Sequence, residues 1–155
     1  MGALVLTSNT KMTLPAGSYR FTKMNLSGNS KLTLNGNVTL YIDGDLTISG
    51  SAGIIISSGN VVIYVNGKKV DISGCAFVNT SQDPRNLILF GTAGLQSINL
   101  SGGTSLYGLV YAPTAAITVS GGQNTYGSLI GNTVDLSGGV SVHYDETLVN
   151  GLLLN

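Results

Sequence analysis

One tripeptide, an aliphatic residue followed by Ser and Gly, occurs six times in 155 residues: Leu26-Ser27-Gly28, Ile48-Ser49-Gly50, Ile72-Ser73-Gly74, Leu100-Ser101-Gly102, Val119-Ser120-Gly121 and Leu136-Ser137-Gly138. Unequal but similar intervals separate its glycines, at positions 28, 50, 74, 102, 121 and 138. Intervals of this size mark a solenoid whose repeats share one structural unit and differ in loop length. Each tripeptide closes an alternating segment: Met24-Asn25-Leu26, Leu46-Thr47-Ile48, Val70-Asp71-Ile72, Ile98-Asn99-Leu100, Ile117-Thr118-Val119 and Val134-Asp135-Leu136. Strict alternation of apolar and polar residues means a strand with one buried face.

Two further strand-like runs separate consecutive copies. The more apolar set reads Tyr19 to Phe21, Val38 to Ile42, Val61 to Val65, Leu87 to Phe90, Leu109 to Tyr111 and Ser128 to Ile130. The more variable set reads Met12 to Leu14, Leu32 to Leu34, Ile54 to Ile56, Ala76 to Val78, Ser105 to Tyr107 and Asn124 to Tyr126. Junctions such as Asn35-Gly36, Asp43-Gly44 and Asn66-Gly67 accept the positive φ angles of tight corners. The longest glycine-free runs each contain a proline and are rich in β-branched residues, which leaves little room for helices. The pattern predicts an all-β, single-domain parallel β-helix of about six turns with three short strands per turn. Residues 1–18 form an N-terminal cap and first strand, 19–142 the repeats and 143–155 a C-terminal cap.

Composition narrows what such a rod can do. Only 9% of the residues are charged, against about 25% in ordinary domains, and the net charge is zero. No field exists to draw in nucleic acid or an anionic membrane. Polarity comes from Ser, Thr and Asn, while 43% hydrophobic residues suffice for a continuous core. One cysteine, Cys75, excludes an intramolecular disulfide and a cysteine-built metal cluster. No run approaches the roughly 20 apolar residues of a membrane span, and the first ten residues lack a basic stretch followed by a long apolar one. We expect one domain of a larger exported protein, with its export signal elsewhere and no direct membrane insertion.

In a β-helix the aliphatic residues of the repeat stack inside, and their neighbours Asn25, Thr47, Asp71, Asn99, Thr118 and Asp135 form an exposed ladder on one flat face. Two roles stand open for that ladder: hydrogen bonds that stabilise sheets and corners, or contact with a ligand.

No catalytic or cofactor-binding residue is expected. Asp71 and Asp135 share the ladder but lie three turns apart, roughly 14 Å at the strand spacing, beyond the separations that paired carboxylates use in glycosidases. His143, the only histidine, shares a strand face with Asp145, and Glu146 is adjacent. That trio reads either as metal-ligand candidates or as a terminal cap in which His143 and Tyr144 cover the open end. Asp43-Gly44-Asp45 lacks the other acidic positions of a calcium loop and reads as a polar turn. Cys75 lacks an evident activating partner. Gly67-Lys68-Lys69 lacks the spacing of a phosphate-binding loop. The tyrosines fall mostly within the apolar strand column and read as sheet packing.

The repeated tripeptide, the segment Val38 to Asp45, the Asp83-Pro84-Arg85-Asn86-Leu87 loop, the Tyr111-Ala112-Pro113 turn and the ending His143 to Leu148 together resemble a bacterial right-handed β-helix repeat domain. That domain is found in type IV pilin-like and other cell-surface or exported proteins, and the similarity covers about Tyr19 to Leu148. It implies a surface-exposed solenoid of no assigned enzymatic activity and transfers no catalytic residues. The expected function is a structural or adhesive module at a bacterial cell surface, contacting glycan or a surface protein. A subunit that stacks end to end into a filament and a carbohydrate-binding or carbohydrate-active β-helix remain as alternatives. The apolar segments Ala3 to Leu6 and Leu152 to Leu154 are read as caps rather than joints.

Overall fold

A computed structural model describes residues 1–74 and 77–146. In chain order its strands are β1 (Leu4–Leu6), β2 (Lys11–Phe21), β3 (Met24–Leu26), β4 (Lys31–Ile42), β5 (Leu46–Ile48), β6 (Gly53–Ser58) and β7 (Val61–Val65). They continue as β8 (Lys69–Ser73), β9 (Phe77–Asn79), β10 (Leu87–Gly91), β11 (Ser97–Ser101), β12 (Leu106–Ser120), β13 (Asn124–Leu136) and β14 (Ser141–Tyr144). Every pairing is parallel and joins one coil to the next. The chain is the parallel β-solenoid that the repeat predicts.

Two details differ from the sequence expectation. Reading the register across β1, β3, β5, β8, β11, β12 and β13 aligns Val5, Asn25, Thr47, Asp71, Asn99, Thr118 and Asp135, which makes about seven turns rather than six. The extra turn is the first. There Leu6-Thr7-Ser8 occupies the place of the tripeptide, with Ser8 at φ 58° where later coils have glycine. The second difference is continuity. β2 and β4 bend round one corner without a break, and β12 and β13 run along all three sides of their coils, so the sides are not always separate short strands.

The inward column Leu6, Leu26, Ile48, Ile72, Leu100 and Val119 is buried, as are the parallel columns through Leu40, Ile63, Leu89 and Val110 and through Leu32 and Ile54. Each such side chain contributes about 1.5–3 kcal/mol relative to exposure. Leu136 continues the first column in register over Val119 yet is 43% exposed, as is Val134. The two ends of the core thus differ. In the first coil Met12, Tyr19 and Phe21 lie beneath Leu32, Leu40 and Ile42, bulkier side chains that fill the end. In the last, Gly127, Leu129 and Gly131 lie over Gly108, Val110 and Ala112.

The glycine of the tripeptide is fixed by two demands at once. Gly50 and Gly74 turn their corners at φ 69° and 88°, where an L side chain is disfavoured. The corners also stack: a Cβ on Gly50 would lie 3.1 Å from the Gly28 carbonyl oxygen, and one on Gly74 would fall on the carbonyl oxygen of Gly50. Ser8 meets only the first demand, because among the described residues no coil lies below it.

This packing can be tested at both the faces and the corners. Ile72, 1% exposed, replaced by Asp buries an unpaired charge and costs several kcal/mol, while Asp71→Ala stays within about 0.5 kcal/mol; equal shifts in thermal melting would show the faces reversed. Gly74→Ala destabilises by more than the roughly 1–2 kcal/mol of a left-handed residue alone, whereas Ser8→Gly stabilises, both read from urea unfolding.

Candidate functional site

Three outer faces follow from the three sides of the coil. On the first, register brings all six predicted ladder residues into one column, Asn25, Thr47, Asp71, Asn99, Thr118 and Asp135, one per consecutive coil. Asn25, Asn99 and Asp135 are exposed, and Thr47, Asp71 and Thr118 half-buried. Asp71 and Asp135 stand three coils apart, as expected. The Ser column beside the ladder turns partly inward. Ser73 and Ser101 donate from Oγ to the carbonyls of Ile48 and Ile72 in the coil beneath, at 3.4 and 3.3 Å. Those hydroxyls stitch coils together, while the ladder side chains themselves stay outward. Charge is sparse, and Lys69 reaches Asp71 only at 3.9 Å with both side chains largely exposed, a contact worth little.

The second face carries an aromatic column. Tyr41, Tyr64, Phe90 and Tyr111 occupy one outward position in successive coils. Tyr41 stacks on Tyr64 and Tyr64 on Phe90 with centroids 5.2 Å apart, and Phe90 meets Tyr111 edge-on at 5.9 Å. Such pairs contribute about 0.5–1.5 kcal/mol beyond burial. Tyr41 and Tyr111 remain exposed at the ends of the stack. The signal was present in the numbering: the steps from position 41 to 64, 90 and 111 track the spacing of the tripeptide.

The third face is interrupted. Among the described residues β9 pairs with β6 and not with β12; in place of a ladder, the Asn79 side chain donates from Nδ2 to the Tyr107 carbonyl at 3.1 Å and to the Asp83 carbonyl at 2.8 Å. Asn79 Oδ1 accepts from the Ser81 hydroxyl at 2.8 Å. Asp83 accepts from the Arg85 backbone at 3.0 Å and from its guanidinium at 2.7 Å, which opens the short helical turn Pro84–Asn86. The excursion is a rigid wall rather than a slack loop. It holds Gln82 at φ 54°, a left-handed conformation uncommon for such a residue.

Two open clefts meet at this wall, sharing Gln82 and Tyr107. One, about 220 Å³, fills the break between β9 and β12 beside Asn79, Thr104 and Ser105. The other, about 290 Å³, runs along Tyr126, His143, Asp145 and Glu146. Its floor is a second aromatic column, with Tyr107 over Tyr126 at 4.6 Å and Tyr126 over His143 at 4.7 Å, all nearly parallel. Neutral hydrogen-bonding groups, ring edges and two carboxylates at one end suit a polar ligand lying along the groove.

A family model described as a domain of unknown function, DUF7305, matches residues 3–151. The chain belongs to this family. No curated protein and no solved structure matches it.

The remaining sequence candidates find structural places in this DUF7305 domain. His143 belongs to β14, which pairs with the start of β13 and so lies over that part of the last coil; its ring continues the outer stack, and Val134 and Leu136 stay exposed. Asp45 Oδ1 accepts from the backbone nitrogens of Lys68 and Lys69 in the next coil at 2.8 and 3.0 Å. Asp43 accepts from Arg20 Nε at 2.9 Å, and that hydrogen bond holds its carboxyl below the ordinary value of 3.8. Among the described residues no group of three or more His, Cys, Asp or Glu is placed to hold a metal ion, and no helix is long and apolar enough to cross a membrane. Cys75 and Leu152 to Leu154 lie outside the described residues.

The wall yields a prediction. Asn79→Ala leaves the Tyr107 and Asp83 carbonyls without their shared donor and costs about 1–3 kcal/mol, with faster amide exchange across residues 80–86. The Arg85 hydrogen bond lowers the Asp83 carboxyl from its ordinary 3.8, so the wall's share of stability is complete above that value and is lost as pH falls through the lowered one. Protection of the amides at residues 80–86, measured relative to their intrinsic exchange rates, therefore falls in acid before that of the core strands; simultaneous loss of protection would contradict this.

Proposed function

We propose that this DUF7305 domain is a non-enzymatic adhesive or structural module of a bacterial cell-surface or pilus-associated protein, exported as part of it, and that its ladder face contacts glycan or a surface protein. The observation that carries the reading is the ladder itself: six outward Asn, Thr and Asp side chains, one per coil, on a backbone locked by parallel pairing. A surface of this kind is preorganised, so binding costs little side-chain or loop ordering. Its near-neutral composition favours hydrogen bonding with an equally uncharged partner over long-range attraction. The pilus and cell-surface setting rests on the resemblance carried by the repeat, the Asp83 to Leu87 loop and the Tyr111-Ala112-Pro113 turn.

The bulky plug of Met12, Tyr19 and Phe21 argues against the filament alternative, because a continuous joint needs an open core at both ends. Carbohydrate binding without turnover is compatible with the adhesive reading, and the Tyr107 to His143 groove offers it a second place.

The test is direct binding of the full chain to immobilised neutral and acidic polysaccharides and to surface-protein extracts. Thr47→Arg and Asn99→Arg together should weaken binding about tenfold or more, equivalent to about 1.4 kcal/mol, without shifting the melting temperature. Polysaccharide cleavage that disappears on changing one aspartate would overturn the non-enzymatic reading.

A further inference from the structure

The break between β9 and β12 leaves one face of an aromatic ring looking over a cleft. Tyr107 is the first ring of its column, and Tyr126 covers one of its faces, nearly parallel at a centroid distance of 4.6 Å. Because these rings stack along the solenoid axis, the opposite face of Tyr107 turns toward β9, and among the described residues no ring stacks on it. Val78, 38% exposed, lies across the gap, with Gln82, Thr104 and Ser105 at the sides of the same cleft of about 220 Å³. Asn79 is there too, but its amide is occupied by the Tyr107 and Asp83 carbonyls and its side-chain oxygen by the Ser81 hydroxyl. Its part is to hold the wall in place and the cleft open.

We propose that this cleft is a subsite for one neutral pyranose unit of a glycan. The placement rests on the glycan half of the reading above and is independent of the ladder face. A pyranose ring carries an apolar face of C–H bonds that can cover the open face of Tyr107, while its hydroxyls donate and accept. The Thr104 and Ser105 hydroxyls and the Gln82 carboxamide have the same dual capacity. Gln82 is held at φ 54° with its backbone N–H donating to the Asn79 carbonyl at 3.1 Å, so this side of the cleft is set before a ligand arrives and little ordering is needed on binding. The volume is below the roughly 300–1,000 Å³ of pockets for drug-sized ligands and suits a single ring. The adjoining groove of about 290 Å³, which shares Gln82 and Tyr107, takes the next unit of the same glycan. Charge separates the competitors. The Arg85 guanidinium in the wall is forked onto Asp83 at 2.9 and 2.7 Å, which disfavours its use for a phosphate, and Asp145 and Glu146 in the groove oppose an acidic sugar. An aromatic side chain of a partner protein would stack equally well but leave the hydroxyls and carboxamide without partners, a loss for any of them that binding desolvates.

The test titrates the full chain with maltohexaose, cellohexaose, mannohexaose and chitohexaose as neutral probes and with hexagalacturonate as the acidic one, followed by amide chemical-shift mapping. Affinity is read from the shifts of residues 78–82 and 104–107, so that any binding at the ladder is counted separately. The expected result is that at least one neutral probe shifts these residues with a dissociation constant in the millimolar range or tighter, about tenfold or more tighter than hexagalacturonate. Tyr107→Ala weakens that binding about tenfold or more, whereas Tyr107→Phe, which keeps the ring face, leaves it within a factor of about two. Val78→Trp, at an exposed position, fills the cleft from the β9 side and blocks binding with the aromatic column intact, which decides the matter even if Tyr107→Ala unsettles the stack. Absence of cleft shifts with every neutral probe, equal losses from Tyr107→Ala and Tyr107→Phe, or a preference for hexagalacturonate would each overturn the subsite. Probe shifts confined to the ladder residues would overturn the cleft and keep the ladder reading; cleft shifts that persist while Thr47→Arg with Asn99→Arg changes no binding anywhere would keep the cleft and overturn the ladder.

Discussion

Parallel hydrogen bonding between successive coils is the constraint on which everything else in this domain depends. Wherever the sides pair, backbone donors and acceptors find their partners one coil away, at roughly 4.8 Å, so equivalent residues stack with almost no lateral freedom. The same spacing explains why the corners need glycine, why serine hydroxyls reach the carbonyls of the coil below, and why aromatic side chains at matching positions form stacks at 4.6–5.9 Å. A single geometric repeat converts a one-dimensional pattern of residue types into columns, and every column is a continuous surface feature.

What could be read from the sequence was whatever repeats with the coil. The alternation Val70-Asp71-Ile72 and its five counterparts gave both the buried aliphatic column and the outward ladder, because period two fixes the faces. The Leu4 to Leu6 side of the first coil was missed because Leu6-Thr7-Ser8 lacks the diagnostic glycine, and it lacks it for a physical reason: with no described corner underneath, only backbone strain opposes a side chain there. The aromatic columns escaped notice because tyrosine suits both sheet packing and surface display, and only the intervals between tyrosines separate the two. The break between β9 and β12 was not legible at all. It depends on Asn79 substituting side-chain hydrogen bonds for a ladder, and Asn79-Thr80-Ser81 looks like any other neutral polar stretch in this chain.

The unequal intervals themselves record where the rod departs from a plain cylinder. The longest, from Gly74 to Gly102, contains the Asp83 to Leu87 excursion, and the added chain lies outside the sheet as a hydrogen-bonded wall. The core cross-section does not grow to hold it. The two shortest, from Gly102 to Gly121 and from Gly121 to Gly138, belong to coils traced by β12 and β13, where strands pass from side to side with hardly any loop. In those coils the steps from Tyr107 to Tyr126 and from Tyr126 to His143 equal the same two intervals, so the tightest part of the solenoid also holds the most closely stacked rings. The long coil supplies a projecting wall and the two short coils that follow supply a flat aromatic floor. A groove arises at their boundary without any element dedicated to forming it, which is how a repeat built for rigidity acquires a local concavity.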